Sequence, residues 1–459
     1  MRRPLYRSRG EPPIISPVGL LELVSRVPFP YFARCPIPTD LEAVTAVGHE
    51  APPREGRTTR AAVDRIWAAA EALYRTGVHP AIQLCIRRHG APILHRAIGH
   101  ASGNAPDDPP DAPKRVIDLD TPFTLYSASK AVTALVVHKL DERRALHLED
   151  RVAEYVPEFD RHGKRWITIR HVLEHRSGLP NLPPEVMDLE LIGHPEKVVE
   201  ILARATRASR PGRLVQYHAV SGGFVLAEVV RRATGDDIRT VLDREIARPL
   251  GFRWMRYGVR PEDVPLVARD AVTGPPVPPP LSTLLRRALG ASIPEVVRIA
   301  SDPRFLTGIV PSANVVSNAW ELCAFFECLL REGELGGVRV FEPRTIRHAT
   351  NEQSYREIDL TLFVPLRYGS GLMLGDRPIG IFGPDTPRAF GHLGFTNIWA
   401  WADPARQLSV ALLTSGKPVV STHVVRLLQL LFEIDALPKS PVSREYVPPV
   451  ARRQKRRGG

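Results

Sequence analysis

The clearest hydrophobic patterns lie near the two ends of the chain, where helical and strand periodicities follow one another. Over 61–77, the segment AAVDRIWAAAEALYRTG has apolar residues at helical spacing and ends at a glycine. The segment AIQLCIRRHGAPILHRAIG, over 81–99, predicts two strands joined as a hairpin at RHGAP. Near the other end, 395–415 indicates strand, turn and strand, and 422–434 predicts an amphipathic helix.

The stretch between these ends is mainly helical in its pattern. It contains GPPVPPPLSTLLRRALGASIPEVV, a Pro-rich connector followed by short helices, which we interpret as a lid or an insertion in one lobe. We therefore predict the α/β fold class of α+β type. An antiparallel sheet is flanked by the N- and C-terminal helices, a mainly helical lobe is inserted, and the active site lies between them.

The domain boundaries follow from the same patterns. Residues 1–58 are predicted to be an irregular, basic and Pro-rich extension, residues 59–437 one domain, and residues 438–459 a basic disordered tail. Within the domain, the sheet lobe takes about 59–120 and 365–437, and the helical lobe takes about 121–364.

Composition and charge change this picture little. The 459 residues are 43% hydrophobic and 24% charged, which is typical of a globular protein. Of the net charge of +12, MRRPLYRSRG supplies four and ARRQKRRGG five, so the excess lies mostly in the two ends. Like-charge blocks are usually solvated, and no zinc-finger spacing or recognition helix is present, so we expect no nucleic-acid partner. Peripheral membrane contact through the basic ends stays open.

Cysteine spacing and the N-terminal pattern bear on the compartment. Cys35, Cys85, Cys323 and Cys328 form no CxxC motif, and we predict buried free thiols, as in a reducing compartment. The segment PIISPVGLLELVSRVPFPYF is interrupted by prolines and charges, so it predicts neither a signal peptide nor a transmembrane helix. The expected location is cytoplasmic, with peripheral membrane association left open. Since no metal or nucleotide motif appears, we expect no metal and no cofactor.

One lysine stands where the pattern predicts burial. In TLYSASKAVTALVVHKL, the only polar residues over 128–137 are Ser129, Lys130 and Thr133, and a helix that is apolar on nearly every side packs inside a protein. A buried ammonium is costly unless it is paired or loses its proton. If the helix begins near Ser127, then Ser127 and Lys130 share a face.

This spacing has a chemical interpretation and a structural one. Desolvation lowers the pKa of an amine, so a neutral Lys130 can take the proton of the Ser127 hydroxyl, whose oxygen then attacks a carbonyl. In the structural alternative, Lys130 extends out of a half-buried helix to solvent and Ser127 is only an N-cap.

S-x-x-K at the start of an apolar helix is the signature of serine β-lactamases and penicillin-binding proteins. From roughly 60 to 435 the chain resembles the class C β-lactamase and esterase branch of that superfamily. The other segments that carry the resemblance, in the expected order, are ITIRHVLEHRSGLP, PGRLVQYHAVSGGFVLAEVVRRATG, GIVPSANVVSNAWELCAFFECLLREGELGGVRV and FGHLGFTNIWAWADP. The resemblance implies that 59–437 form a β-lactamase-like serine hydrolase domain.

The resemblance also implies the catalytic residues. Ser127 matches the nucleophile, Lys130 the S-x-x-K lysine and Tyr217 the tyrosine of the family's Y-x-N motif. A nearby cation would lower the pKa of Tyr217, so that a phenol or phenolate relays protons to the leaving group and to the deacylating water. Without the resemblance, Tyr217 would be interpreted as an aromatic residue of the core or of an interface. Similarly, His175 in LEHRSGLP is expected to be structural, with hydrogen bonds to loop backbone.

The segment FGHLGFTNIWAWADP resembles the strand that closes the active site in this family, and it supplies the remaining expected site residues. His392, Leu393 and Gly394 match the K-T-G positions of the family. Gly394 is expected to leave room for the acyl group, because a Cβ would obstruct it. The backbone N–H groups of Ser127 and Phe395 would form the oxyanion hole. By this matching, His392 and Gly394 are expected to bind substrate.

Two departures from the family pattern affect the expected substrate. His218 and Ala219 follow Tyr217, so the asparagine that helps to hold the lysine is absent; Ala219 cannot replace it, and His218 is expected to compensate by binding substrate. Leu393 removes a hydroxyl, and His392 is mostly neutral at pH 7. Both changes weaken recognition of an anionic, peptide-like substrate.

The leading hypothesis is a serine hydrolase that cleaves small-molecule carboxylic esters through an acyl-enzyme on Ser127, with Lys130 and Tyr217 as general base and acid. One alternative keeps the fold and changes the substrate, as a DD-peptidase or β-lactamase. Another is a non-catalytic binding protein that retains the fold.

Overall fold

The computed structural model describes residues 33–180, 188–355 and 357–440. The predictions for the basic N-terminus and for most of the C-terminal tail lie outside these residues. In chain order, the strands of the described residues are β1 (Thr45–Val47), β2 (Ala81–Arg88), β3 (Ala91–Ser102), β4 (Arg115–Val116), β5 (Phe123–Thr124), β6 (Arg256–Tyr257), β7 (Val315–Ser317), β8 (Glu334–Leu335), β9 (Val338–Arg339), β10 (Ile358–Asp359), β11 (Val364–Pro365), β12 (Arg367–Tyr368), β13 (Met373–Leu374), β14 (Ile379–Gly380), β15 (Gly383–Pro384), β16 (Phe390–Gly394), β17 (Ile398–Asp403) and β18 (Leu408–Thr414).

The α-helices of the same residues fall mostly between β5 and β12. They are α1 (Arg60–Tyr74), α2 (Ser129–Glu142), α3 (Val152–Tyr155), α4 (Ile169–Leu173), α5 (Pro195–Arg204), α6 (Ser221–Thr234), α7 (Ile238–Leu242), α8 (Leu281–Leu289), α9 (Ile293–Ala300), α10 (Pro303–Thr307), α11 (Ala319–Leu330), α12 (Pro343–Thr350) and α13 (His423–Asp435). The predicted terminal helices are α1 and α13, and the predicted short helices after the Pro-rich connector are α8 and α9. None of the helices in the described part of the chain is long and apolar enough to cross a membrane.

A nine-stranded sheet made from both ends of the chain forms the centre of the fold. Its order is β1-β3-β2-β18-β17-β16-β13-β12, with β4 added beside β3, and every pairing is antiparallel. Strand β18 pairs with β2 so that Cys85 lies opposite Ala411. The predicted class, an antiparallel sheet with flanking helices and inserted helices, is therefore confirmed.

The two faces of the sheet carry side chains of different size, because successive residues of a strand point to opposite faces. In β18, Val410 and Leu412 belong to the apolar cluster that includes α1 and α13. Ala411 and Leu413 face the opposite way, into the cluster that holds α11 and the inserted helices. The small residues Cys85, Ala400 and Ala411, which lie side by side on this second face, let α11 pack close to β2, β17 and β18.

The first hairpin turns where the sequence predicts it. His89 and Gly90 connect β2 to β3, and both have positive φ, 49° and 87°. A two-residue hairpin loop of this kind needs left-handed conformations at both positions, which glycine adopts without cost.

The extension and the tail are more ordered at their inner ends than the sequence predicts. Strand β1, at 45–47, lies within the segment expected to be irregular, and it pairs with β3 along the sheet edge. At the other end, Ser440 N–H donates to Ala405 O at 2.8 Å, and Arg88 donates to Pro438 O at 2.7 Å. Short segments with no clear periodicity are held here by hydrogen bonds to the sheet and to the turn between β17 and β18. The division into domains stays a prediction.

Candidate active site

Ser127 lies where the sheet meets the inserted helices. A turn of 3-10 helix, Tyr126–Ala128, leads into α2, so the helix begins within two residues of the predicted start. The whole first turn of α2 is buried, whereas Ser127 is partly exposed. Its side chain borders a cavity that is lined mostly by the inserted segment, with Phe395 contributed from the sheet side. The Ser127 hydroxyl therefore lies at the edge of a cavity, beside the N-terminal end of a buried helix.

Lys130 is buried and makes three hydrogen-bond contacts. Its Nζ lies 3.1 Å from Ser127 Oγ, 2.7 Å from Ala219 O and 3.1 Å from Ser312 O. Only 9% of the residue is exposed, so the lysine does not extend to solvent, and the structural alternative of a snorkelling side chain is wrong. The two carbonyls can accept only N–H groups, because they carry no hydrogen. In the neutral amine, the nitrogen lone pair is therefore left to face the Ser127 hydroxyl.

Burial lowers the pKa of the Lys130 ammonium from its ordinary value of 10.5 to about 7. Among the described residues, no opposite charge offsets this loss of hydration. A substantial fraction of Lys130 is consequently neutral at pH 7, as the sequence predicts, and a neutral amine can accept a proton.

Ala219 holds the lysine, which the sequence analysis excluded. That expectation considered only the alanine side chain, which cannot replace the missing asparagine amide. The backbone carbonyl of Ala219 makes the shortest of the three contacts to Lys130, at 2.7 Å. A carbonyl oxygen is present at every position of a chain, so its use as a lysine acceptor depends on the fold and not on residue type.

Tyr217 lies beside both residues, but its pKa moves in the direction opposite to the expected one. Its ring centroid is 4.9 Å from Lys130 Nζ. Burial raises the pKa of the Tyr217 phenol, and a hydrogen bond with Ser127 lowers it by a smaller amount. The negative charge of Asp359 makes a further, smaller contribution that raises this pKa. Of the two forms that the resemblance implies, phenol and phenolate, the direction of this shift favours the phenol.

The two histidines expected to bind substrate are buried away from the cavity that Ser127 borders. His218 lies 3.0 Å from Ser177 Oγ through its Nε2, behind Lys130. His392 lies 2.7 Å from Leu393 O through its Nδ1. Burial lowers the pKa of each imidazole to about 3, with a smaller contribution from the Lys130 charge. Neither side chain supplies a positive charge near pH 7.

His175 is structural, as expected. It accepts a hydrogen bond from the backbone N–H of His218 at 3.2 Å, and its ring centroid is 4.7 Å from that of Tyr217. Its contacts fix the loop that carries the tyrosine.

Gly394 is small for a reason other than the expected one. A Cβ built on Gly394 would lie 2.4 Å from Leu125 O and 2.8 Å from Ile398 Cβ. The chain itself, and not a bound acyl group, therefore occupies this space. Strand β16 can approach the segment that leads into Ser127 only because Gly394 has no side chain.

The Gly394→Ala variant is expected to lose about 2 kcal/mol of unfolding free energy, as overpacked sites do. Thermal unfolding measures this effect. Gly193→Ala is the matched control, because its added Cβ meets nothing within 4 Å. Equal behaviour of the two variants would contradict the packing role of Gly394.

Asp359 is a site residue that the sequence analysis missed. Its buried carboxylate accepts from the backbone N–H of Tyr217 at 3.2 Å and from the Tyr368 hydroxyl at 3.0 Å. It also accepts from the N–H groups of Thr361 and Leu362, at 2.8 and 3.1 Å. An aspartate between Ile358 and Leu360 is the only sequence signal, and it equally fits an ordinary turn. The carboxylate therefore ties the Tyr217 segment to a distant hairpin.

The cavity beside Ser127 is apolar and has a volume of about 100 Å³. Helices α8 and α9 supply Leu289, Val296 and Ile299, and Phe395 contributes from the sheet side. Among the described lining residues, the polar side chains are Tyr126, Ser127 and Asp188. In the same part of the chain, no group of three or more His, Cys, Asp or Glu side chains is placed to hold a metal ion.

A buried amine on a cavity-lining serine, between a sheet and inserted helices, is the arrangement of a serine hydrolase. The Beta-lactamase family model matches residues 62–431, and the chain belongs to that family.

Relatives and solved structures agree with this membership. The Esterase/beta-lactamase LipL of Mycobacterium tuberculosis is 28% identical over 319 residues, which are 66% of this chain and 72% of LipL. A family VIII carboxylesterase structure has a TM-score of 0.70 at 24% identity, covering 84% of this chain and 99% of its own. A penicillin-binding protein homologue from Caulobacter crescentus has a TM-score of 0.65 at 25% identity, covering 80% and 97%.

Proposed function

We propose that this protein is a carboxylesterase that hydrolyses small, neutral esters through an acyl-enzyme on Ser127. The observation that carries the proposal is the Lys130 amine, which is buried, close to neutral at pH 7 and 3.1 Å from the serine hydroxyl.

In the acylation step, Lys130 takes the Ser127 proton while Ser127 Oγ bonds to the ester carbonyl carbon. The negative charge on the carbonyl oxygen is held by the N–H groups of Ser127 and Phe395. Collapse of this intermediate breaks the bond to the alcohol oxygen. The alcohol leaves with a proton from the Tyr217 phenol, which is replenished by the Lys130 ammonium.

Deacylation repeats these steps with water in place of the serine. A water molecule attacks the acyl carbon, and its proton passes through Tyr217 to Lys130. The Ser127 oxygen then leaves with a proton, which restores the enzyme and releases the carboxylic acid. The raised pKa of Tyr217 suits this role, because a phenol that keeps its proton can donate and accept in turn.

The surroundings of Ser127 favour a neutral ester over an anionic peptide or β-lactam. The described lining of the cavity is apolar except for Tyr126, Ser127 and Asp188, and Asp188 would repel a carboxylate. His392, at the position of the family's K-T-G lysine, is neutral at pH 7 because burial lowers its pKa to about 3.

The size of the cavity favours a short acyl group. An apolar cavity of about 150 Å³ holds benzene, and the cavity here has about 100 Å³. We infer a preference for acyl groups of up to about four carbons, allowing for the smaller volume.

The direct test is turnover of p-nitrophenyl butyrate together with fluorophosphonate labelling at Ser127. A chromogenic cephalosporin serves as the anionic comparison. Turnover of the ester with little turnover of the cephalosporin supports the proposal. An unlabelled Ser127, or faster turnover of the cephalosporin, contradicts it.

Ile299, a residue of α9 that lines the cavity, should control which length of acyl chain is preferred. The Ile299→Trp variant fills the cavity, and the ratio of kcat/KM for butyrate to that for acetate should fall about tenfold, as expected for lost methylene contacts. The control is Leu284→Trp on α8, where the native side chain is 38% exposed and does not line this cavity. An unchanged ratio in Ile299→Trp would place the acyl group elsewhere.

A further inference from the structure

The residue immediately before the nucleophile has a strained backbone. Tyr126 has a φ of 48°, in the left-handed region that bulky side chains rarely adopt, and it is 4% exposed. Such a conformation persists only where the surrounding structure holds it, and it is most frequent at functional sites. The contacts of Tyr126 therefore indicate what the strain maintains.

A buried ion pair holds the Tyr126 side chain. The Tyr126 hydroxyl donates to Asp270 Oδ2 at 2.6 Å, and Asp270 Oδ1 lies 3.1 Å from Lys417 Nζ. Lys417 also donates to Thr414 O at 2.8 Å, and its Nζ lies 4.7 Å from the Tyr126 ring centroid. All three charged or polar ends are buried, so each hydrogen bond is costly to leave unmade.

The ion pair is itself fixed to the central sheet. Ala271 N–H donates to Ser415 O at 2.9 Å, and Lys417 N–H donates to Ala271 O at 2.9 Å. The segment carrying Asp270 thus runs beside the end of β18. Tyr126 is anchored to the rigid part of the fold and not to a surface loop.

Tyr126 is next to both residues whose N–H groups are proposed to hold the oxyanion: it precedes Ser127 in the chain, and its ring lies beside that of Phe395. The peptide bond between Tyr126 and Ser127 carries the Ser127 N–H, so the backbone conformation of Tyr126 sets the direction of that donor. On its other side, the Tyr126 ring centroid lies 5.6 Å from that of Phe395, whose N–H is the second donor. The anchored Tyr126 therefore lies between the two residues, Ser127 and Phe395, whose N–H groups are the proposed donors.

We propose that Tyr126 is a positioning residue for the oxyanion hole, held in its strained conformation by Asp270 and Lys417. Asp270 and Lys417 do not touch the substrate; they act through Tyr126. The inference rests on the proposed esterase function, because it assigns a task within that reaction.

The test is the Tyr126→Phe variant, which keeps the ring and the ion pair and removes only the hydroxyl. We expect kcat for p-nitrophenyl butyrate to fall tenfold to a hundredfold, with KM within twofold of the wild-type value. Oriented oxyanion donors act on the transition state and not on substrate binding. Affinity for a trifluoromethyl ketone, whose adduct carries the oxyanion, should fall by the same factor.

Tyr155→Phe is the matched control. The Tyr155 hydroxyl also donates to a carboxylate at 2.6 Å, that of Asp150, but it lies in the inserted helices away from the oxyanion donors. Its kcat should stay within twofold of wild type, whatever its effect on thermal stability. Equal losses of kcat in the two variants would overturn the inference, and so would a Tyr126→Phe variant with unchanged kcat.

A double-mutant cycle with Asp270→Asn tests the connection to the ion pair. If Asp270 acts through the Tyr126 hydroxyl, the double variant should have the kcat of Asp270→Asn alone; additive losses would overturn this connection.

Measurements on the wild-type protein distinguish failure of the proposed esterase function from failure of the Tyr126 inference alone. A wild type that neither turns over esters nor is labelled at Ser127 overturns both. An active, labelled wild type with an unaffected Tyr126→Phe variant overturns this inference alone.

Discussion

The Ser127→Ala variant is expected to lose ester hydrolysis by at least about 10⁴-fold, since removal of a serine nucleophile has an effect of this order or larger. Stability should change by at most about 2 kcal/mol, because Ser127 is partly exposed and loses only its hydrogen bonds with Lys130 and Tyr217. Turnover of p-nitrophenyl butyrate and thermal unfolding measure the two quantities. Fluorophosphonate labelling of the chain should disappear in the same variant.

A neighbouring serine gives a control in which stability is expected to fall while activity is retained. Ser129 is fully buried on α2, and its Oγ accepts from the Val315 N–H at 3.0 Å. Ser129→Ala leaves that N–H without a partner and should cost about 1–3 kcal/mol of stability, while activity below the unfolding transition is retained. If Ser127→Ala instead kept its activity, another nucleophile would have to be responsible.

The Lys130→Met variant is expected to lower kcat/KM by about 10³–10⁴-fold, the upper range for loss of a general base. Methionine is similar in length and apolar, so the burial of the site is maintained. Lys164→Met is the matched control. Lys164 is also buried, and it donates to two backbone carbonyls, Ala203 O at 2.6 Å and Ala205 O at 2.7 Å; neither of these partners is a serine hydroxyl. Similar losses in both variants would indicate a structural role only.

The pH dependence of kcat/KM should reflect the titration of Lys130. Only the neutral amine accepts a proton, and burial lowers the pKa of Lys130 to about 7. Activity should therefore rise from pH 6 to pH 8 and then level off. His218 and His392, with pKa values lowered to about 3, stay neutral over this range. A profile that is flat from pH 5.5 to pH 9 would exclude Lys130 as the base.

One other group near the site titrates in this range. Burial raises the pKa of the Glu174 carboxyl to about 7. The Glu174→Gln variant is expected to keep the wild-type profile, because the carboxylate is paired with Arg170 at 3.5 Å and has no contact with Ser127. Loss of the pH dependence in this variant would assign the titration to Glu174.

Much of the fold could be predicted from the chain, because it depends on local periodicity. The spacing of apolar residues predicts α1, α13 and both hairpins, and the RHGAP turn follows from glycine at a left-handed position. Strand β1 could not be predicted, because three residues of a short edge strand carry no clear alternation. Its order comes from pairing with β3.

The site divides in the same way. The pairing of Ser127 with Lys130 is local, three residues apart on one helical turn, and the apolar sequence around it predicts the burial that lowers the lysine pKa. The other partners of the lysine are distant in sequence. Ala219 lies 89 positions away and Ser312 lies 182 positions away, and both act through backbone carbonyls that every residue possesses.

By itself, the sequence determined a buried amine beside a hydroxyl, because helical spacing and apolar composition are properties of a short segment. Only the tertiary structure decided which carbonyls hold that amine, that burial raises the pKa of Tyr217, and that Tyr126 is anchored to Asp270 and Lys417. These depend on the electrostatic surroundings and contacts of each group, which are set by segments far apart in the chain and brought together by folding.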